Sequence, residues 1–191
     1  MKNRLSVFSK MVLSLLFVFS LMCCVSQKAT TIVGGEYDAK KDVTEYFVFP
    51  YGSVSLPGKW NKTDYNTESK QQFFTNKDSV VVAIVFGRSK SYEFNKDGSL
   101  KGNDFLNSFK EWDSKYFKES HGLDWKILET DNINNYMIYR IYGITDESKF
   151  DSYFLMGEKN GSVSNFSVYN TNKWSESDKI IFLKNLYLQN K

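Results

Sequence analysis

Residues 79–86 place the strongest constraint on the fold of this chain. They contain valine at 80, 81, 82 and 85 and isoleucine at 84, with no alternation of apolar and polar positions. A strand that is apolar throughout is typical of burial on both faces, whereas a half-exposed strand alternates. The segment therefore predicts a sheet in which each face is covered by another layer.

Two segments predict amphipathic helices that can supply this cover. In residues 104–119, aromatic side chains recur at spacings of four, three and four, and Gly122 follows the helix end. The predicted apolar stripe is Phe105, Phe109, Trp112 and Tyr116, widened by Leu106 and Phe117. The second predicted helix spans residues 176–188, where Ser175 and Asp178 resemble a capping box. Its predicted buried side is Ile180, Leu183, Leu186 and Tyr187.

The other apolar segments predict strands separated by polar turns. These strands cover residues 45–49, 53–56, 71–74, 125–129, 136–142, 153–156 and 163–169. The dipeptide Asn160-Gly161 favours a tight antiparallel hairpin between the last two strands. The order of strands, helix, strands, helix predicts an α+β fold in which helices cover a mostly antiparallel sheet.

Residues 46–60 resemble the opening hairpin of PsbP-like and DcrB-like domains. In those domains an aromatic-rich strand leads to an aliphatic-Pro-x-x-Trp turn, which Leu56, Pro57 and Trp60 match here. The order of elements is also similar over residues 45–188. The resemblance implies an α/β/α sandwich around a mostly antiparallel sheet, in a superfamily used mainly for binding and scaffolding. It supplies no catalytic motif.

Residues 1–23 predict a bacterial lipoprotein signal peptide. Basic residues precede an apolar run over residues 11–22, which is shorter than the roughly 20 apolar residues that span a bilayer. The tetrapeptide Leu21-Met22-Cys23-Cys24 resembles the lipobox of bacterial lipoproteins. Because Leu21 lies three residues before Cys24, we expect lipidation at Cys24 by chains such as palmitate. An uncleaved signal anchor and an ordinary signal peptide are the alternatives.

The lipobox predicts the cellular location of the rest of the chain. Several acyl chains on Cys24 would hold it stably in a membrane of the bacterial cell envelope, on the periplasmic side or at the outer membrane. The polar residues 24–44 predict a tether, and residues 45–191 predict one PsbP-like domain.

Charge and cysteine content exclude several classes of protein. The chain has 25 Lys plus Arg against 22 Asp plus Glu, but Lys2, Arg4 and Lys10 all lie in the predicted signal, so the remainder is neutral. A nucleic-acid-binding surface needs a basic excess, and none is expected here. Both cysteines lie at or before position 24, which excludes a disulfide framework and a thiol nucleophile from the domain.

No residue pattern predicts catalysis, a cofactor or a metal centre. His121 is the only histidine, and we expect it to be a C-terminal helix residue. The nucleotide-binding, zinc-protease and serine-hydrolase motifs are absent from the sequence. The neighbouring acids Glu111 with Asp113, and Asp146 with Glu147, are predicted to be solvated.

Residues 93–104 have the spacing of a calcium-binding loop. The oxygen-bearing residues at positions 1, 3, 5 and 12 are Glu93, Asn95, Asp97 and Asp104. However, Lys101 occupies a ligand position and no helix precedes the loop, so we favour a polar turn. Calcium binding stays open at this point.

Two functional hypotheses follow. The first is a non-catalytic module that binds or scaffolds a protein partner in the envelope. The alternative is a small-ligand carrier or sensor that uses a tyrosine-rich face. The tyrosines of that face are Tyr136, Tyr139, Tyr142, Tyr153 and Tyr169.

Overall fold

The computed structural model describes residues 31–145 and 148–189, which form two antiparallel sheets and two α-helices. The strands are β1 (Ile32–Gly34), β2 (Tyr37–Asp38), β3 (Val43–Phe49), β4 (Gly52–Pro57), β5 (Trp60–Asn66), β6 (Gln71–Asn76), β7 (Val81–Arg88), β8 (Asp124–Asp131), β9 (Tyr136–Ile144), β10 (Lys149–Lys159) and β11 (Ser162–Val168). The helices are α1 (Gly102–His121) and α2 (Glu176–Gln189). The α+β class predicted from the sequence is confirmed.

The large sheet has seven strands in the order β5-β6-β7-β11-β10-β9-β8. The hairpin predicted at Asn160-Gly161 joins β10 and β11, and both residues have positive φ angles, of 54° and 85°. β7 lies inside the sheet between β6 and β11. Its side chains at 82, 84 and 86 are buried, whereas Val81 and Val85 on the opposite face are only half-buried. Ala83, on the same face as Val81 and Val85, is buried. The prediction that each face of the sheet is covered is confirmed, since α2 and the small sheet pack on one face and α1 on the other, but β7 is only partly covered at positions 81 and 85.

One face of the large sheet is covered by α2 and by the small sheet of β1 to β4. Tyr46 from β3 and Leu56 from β4 pack in the same buried cluster as Leu183 and Leu186 from α2. The α2 N-terminus has the predicted capping box, in which the Asp178 N–H donates to Ser175 Oγ at 3.2 Å. The Ser175 N–H donates to Asp178 Oδ2 at 3.0 Å in return.

The other face is covered by α1, which packs over β8, β9 and β10. Phe105, Leu106 and Phe109 are buried against Tyr139 and Met156. Trp112 and Tyr116 are 36% and 48% exposed, so the predicted apolar stripe is wrong at these two positions. The structure instead buries Leu106, Phe109 and Asp113, which follow one another at spacings of three and four on α1.

Strands are present before the predicted domain boundary at residue 45. β1 and β2 both pair with β3, so residues 32–34 and 37–38 belong to the small sheet and not to a tether. Cys24 and the predicted signal over residues 1–23 lie outside the described residues, as do Asp146 and Glu147. Within the described part of the chain, neither helix is long and apolar enough to cross a bilayer.

Candidate ligand-binding groove

A groove of about 490 Å³ lies beside α1, because this helix covers only part of its sheet face. Its floor is formed by β7 and β11, and one wall is α1. The residues that decide its chemistry are Val85, Tyr92, Phe109, Trp112, Asp113 and Asn165. The volume is within the range of about 300 to 1,000 Å³ that is usual for small-molecule sites.

Aromatic rings line the wall of the groove near α1. Tyr92 lies between two short 3-10 turns, Ser89–Ser91 and Glu93–Asn95, that connect β7 to α1. Its ring packs edge-on against Phe109 and Trp112, with centroid distances of 5.8 and 5.9 Å. In an edge-on pair the positive edge of one ring meets the negative face of the other, which favours this arrangement of the three rings.

Asp113 carries a buried carboxyl group at this wall. The residue is 7% exposed, and its Oδ2 accepts a hydrogen bond of 2.9 Å from the indole N–H of Trp125. Burial raises the pKa of Asp113 to about 6, although the indole N–H acts in the opposite direction. The prediction that Asp113 is solvated is therefore wrong, whereas its neighbour Glu111 is exposed as expected.

The surroundings of Asp113 are mainly aromatic. Trp125 stacks on Tyr139 with a centroid distance of 4.6 Å, and Tyr139 packs against Phe109 at 5.9 Å. Burial, with a smaller contribution from the negative charge of Asp113, raises the pKa values of Tyr92 and Tyr139. Both phenols are therefore neutral near pH 7, and the carboxyl group is the ionisable group of this cluster in that range.

The rim of the groove carries charges of both signs. Arg88, Lys70 and Lys96 contribute the basic groups, and Glu68 and Glu93 contribute the acidic ones. None of the ion pairs between described residues includes Asp113. The buried carboxylate therefore has hydrogen-bonding and aromatic neighbours, and its counter-charge is not supplied by a lysine or arginine of the described residues.

The loop with calcium-binding spacing forms the polar turn that we favoured. Asn95 is buried, and its Oδ1 accepts the Leu100 N–H at 2.9 Å while its Nδ2 donates to the Leu100 carbonyl at 3.1 Å. Asp97 Oδ1 accepts the Ser99 N–H at 3.1 Å. The described residues include no cluster of three or more His, Cys, Asp and Glu side chains placed to hold a metal ion.

His121 lies where the sequence predicts it, at the C-terminal end of α1. Gly122 follows with a left-handed φ of 64°, and its N–H caps the helix. The imidazole Nε2 lies 3.2 Å from the Tyr116 hydroxyl oxygen, in an exposed position away from Asp113. The structure therefore does not bring His121 and the buried carboxyl group together.

The five tyrosines of the alternative hypothesis do not share one face. Tyr136 and Tyr153 lie in the core cluster beneath α2, where their hydroxyls donate to Glu129 and Glu176 at 2.8 and 2.7 Å. Tyr139 lies in the cluster beneath α1. The prediction of a tyrosine-rich face is therefore wrong, and the aromatic groups of the groove come mainly from α1 and the 3-10 turns.

Glu158 supports α1 from the sheet, and the sequence contains no motif that identifies it. It is 1% exposed, near the end of β10. Its carboxylate accepts the backbone N–H of Gly102, in the first turn of α1, and the N–H of Gly161 in the hairpin. This one side chain therefore links the N-terminus of the groove-forming helix to the β10–β11 turn.

Comparison with known proteins identifies a structural relative. No protein-family model and no curated protein matches this sequence. The solution structure of cyanobacterial PsbP (CyanoP) from Synechocystis sp. PCC 6803 is similar, with a TM-score of 0.50 and 8% sequence identity. The similarity covers 90% of this chain and 98% of the cyanobacterial chain. At this identity the likeness concerns the fold, and the chain has a PsbP-like fold.

Proposed function

We propose that this chain is a bacterial envelope lipoprotein, anchored at Cys24, whose PsbP-like domain is a non-catalytic binding module for a cationic group. The observation that carries the binding proposal is the buried carboxyl group of Asp113 at an aromatic-lined groove. An ammonium or guanidinium group is attracted both to a carboxylate and to the faces of aromatic rings. The groove therefore favours an organic cation over an anion or a neutral ligand.

The electrostatics of Asp113 support this ligand class. An ionised carboxylate without a counter-charge is costly to bury, which is why the pKa of Asp113 is raised. A cation that enters the groove would lower this cost by pairing with the carboxylate. Its apolar part would then contact Val85, Phe109 and Trp112, which also line the groove.

A small amine and the basic side chain of an envelope protein bring the same chemistry to this groove. The small-ligand and protein-partner hypotheses thus differ in the source of the cation. To separate them, a photo-crosslinking residue can be placed at Trp112, which is 36% exposed at the groove. Crosslinks to an envelope protein that disappear when benzyltrimethylammonium is added would indicate that the cation comes from a protein. Binding of benzyltrimethylammonium by a chain that forms no crosslinks would indicate a small ligand.

Benzyltrimethylammonium is expected to bind the wild-type chain saturably, with at least about tenfold weaker binding to the variant Asp113→Asn, since the ion pair is lost. Affinity should also fall as the pH decreases through about 6, because protonation removes the carboxylate charge. Calorimetric titration of the detergent-purified chain from pH 5 to pH 8 measures both effects.

Two controls make this titration decisive. Asp104→Asn removes an exposed carboxylate from the first turn of the same helix and should leave the affinity unchanged. Benzyl alcohol has the same ring without the charge and should bind much more weakly. Equal binding by wild type and Asp113→Asn, or equal binding of the alcohol and the cation, would contradict the proposal.

The anchor makes a separate prediction. The chain purified from its own host membranes should have a mass that lacks residues 1–23 and includes acyl groups. Cys24→Ser should remove the acyl groups, whereas Cys23→Ser should retain them because position 23 lies before the cleavage site. Intact-protein mass spectrometry distinguishes these states, and an unmodified full-length mass for the wild type would contradict the anchor.

A further inference from the structure

An apolar patch lies on the small sheet, where β1 pairs with β3. It consists of Ile32, Phe47 and Phe49, which are 55%, 37% and 61% exposed. Contiguous exposed apolar side chains on a folded domain typically mark an interaction surface, whereas single ones are common and carry no such meaning. We call these three residues the N-terminal patch.

Strand pairing in the small sheet builds this patch. Ile32 of β1 is opposite Phe49 of β3, and Gly34 is opposite Phe47. Because neighbouring residues of a strand face opposite sides, Phe47 and Phe49 lie on the outer face while Tyr46, between Glu45 and Phe47, is buried in the core. The patch is therefore held by the backbone of two paired strands.

Gly34 shows how closely the patch is assembled. A Cβ atom at this position would lie 2.5 Å from the Phe47 ring. Only a residue without a side chain allows the ring to lie over β1 in this way. The aromatic surface of β3 therefore extends across to the first strand of the fold.

The patch lies close along the chain to the proposed anchor. Ile32 is eight residues after Cys24, and eight extended residues span at most about 29 Å. The apolar surface thus begins at the end of a short connection to the acyl chains. The groove beside α1 is on the opposite face of the large sheet from the small sheet.

From this placement we infer that the N-terminal patch rests on the lipid surface in which Cys24 is anchored; the inference rests on the anchor proposed above. Phe49 and Ile32 enter the boundary between headgroups and acyl chains, as apolar groups of interfacial proteins do. Glu36, Asp38 and Glu45 lie with Phe47 in a neighbouring depression, so the apolar side chains and not surface charge carry this contact. In this orientation the groove opens away from the membrane.

Spin labels test the inference in the acylated chain. Both native cysteines lie at positions 23 and 24, so Phe49→Cys provides a single labelling site in the domain once Cys24 is acylated. Ile133→Cys is the matched control, because Ile133 is 91% exposed in the turn between β8 and β9. The labelled chains are reconstituted in vesicles of phosphatidylethanolamine and phosphatidylglycerol.

The label at position 49 should be more accessible to oxygen than to a water-soluble nickel complex, and the label at position 133 should show the reverse. Equal water accessibility at the two positions, in chains whose acyl groups are confirmed by mass, would overturn the inference and leave the anchor intact. A mass without acyl groups would instead overturn the anchor. If the label at position 49 is immobilised in native membranes but not in the vesicles, the patch binds a membrane protein and not lipid, which would also overturn the inference.

A second variant measures the strength of the contact without the lipid anchor. A Cys24→Ser chain from which residues 1–23 have been removed should bind the same vesicles weakly, and the further change Phe49→Ser should reduce this binding about tenfold, since one exposed phenylalanine no longer enters the lipid. Ile133→Ser should leave vesicle binding unchanged. Equal binding by the Phe49→Ser and Ile133→Ser chains would count against a lipid contact at the patch.

Discussion

Replacement of Asp113 by Asn is expected to increase the free energy of unfolding at pH 7 by about 3 kcal/mol. The folded state raises the pKa of this carboxyl group to about 6 from its ordinary value of 3.8, because the group is buried. The folded protein therefore binds this proton more tightly than the unfolded chain does. The difference between the two pKa values corresponds to about 3 kcal/mol of destabilisation once the group is ionised.

The sign of this effect sets its pH dependence. Below pH 4 the carboxyl group is protonated in both states, and its raised pKa does not change the free energy of unfolding. Between pH 4 and pH 6 the raised pKa lowers this free energy progressively, and above pH 6 the loss is complete. Asn is uncharged and keeps an oxygen that can accept the Trp125 N–H. The variant should therefore match the wild type near pH 4 and exceed its stability from pH 6 upward.

Urea unfolding of both chains between pH 4 and pH 8, followed by tryptophan fluorescence, measures this difference. Other carboxyl groups titrate in the same range, so the quantity to compare is the difference between the two stability curves. Asp104→Asn, which removes an exposed carboxylate from the same helix, is the control variant. An Asp113→Asn chain that is less stable than the wild type at pH 7 would show that the charge of this group is compensated in the fold.

The second large effect is expected for Glu158→Ala, which should lower the free energy of unfolding by about 3 to 5 kcal/mol. The Glu158 carboxylate is buried and accepts the backbone N–H groups of Gly102 and Gly161. Alanine would leave both donors without this acceptor and would also leave space in the interior. Because Gly102 is the first residue of α1, binding of benzyltrimethylammonium in the groove should weaken as well.

Thermal and urea unfolding measure the stability change, and Glu119→Ala is its matched control. Glu119 is an exposed glutamate of α1, so its replacement should change the unfolding free energy by less than about 0.5 kcal/mol. The unfolding free energy of Glu158→Gln should lie between those of Glu158→Ala and Glu119→Ala, since an amide oxygen can accept one of the two N–H groups but has no charge. A Glu158→Ala chain as stable as Glu119→Ala would show that water replaces the carboxylate without cost.

These two residues have opposite effects on stability although both are buried acids. Glu158 accepts two backbone N–H groups from elements that are far apart in sequence, and so it stabilises the fold. Asp113 is surrounded by aromatic rings and accepts one indole N–H, and so its charge is costly. Groups that cost stability are enriched at binding and catalytic sites, and this supports the ligand proposed for the groove.

Local features of the fold were predictable because their causes lie within a few residues. The hairpin at Asn160-Gly161 follows from two adjacent residues that tolerate positive φ angles. The start of α2 follows from the reciprocal hydrogen bonds of Ser175 and Asp178. The strong strand within residues 79–86 follows from its apolar side chains.

Other features depend on where elements lie relative to one another. β1 and β2 are only three and two residues long, and they form strands because β3 offers an edge to pair with. The spacing of aromatic residues on α1 predicts a stripe through Trp112, whereas the structure buries Asp113. The position of α1 over β8 to β10 decides which of these two side chains is buried, because it brings the Asp113 carboxyl group to the Trp125 indole.

The sequence by itself determined the α+β class, the two helices and the principal strands, because periodicity and turn residues act within a few positions of the chain; lipidation at Cys24 stays a prediction. Tertiary structure alone decided the groove, the burial of Asp113, the support from Glu158 and the N-terminal patch. Each of these depends on contacts between residues far apart in the chain, such as Glu158 with Gly102 or Ile32 with Phe49. No local pattern encodes such pairs, since they exist only once α1 and the small sheet have packed on opposite faces of the large sheet.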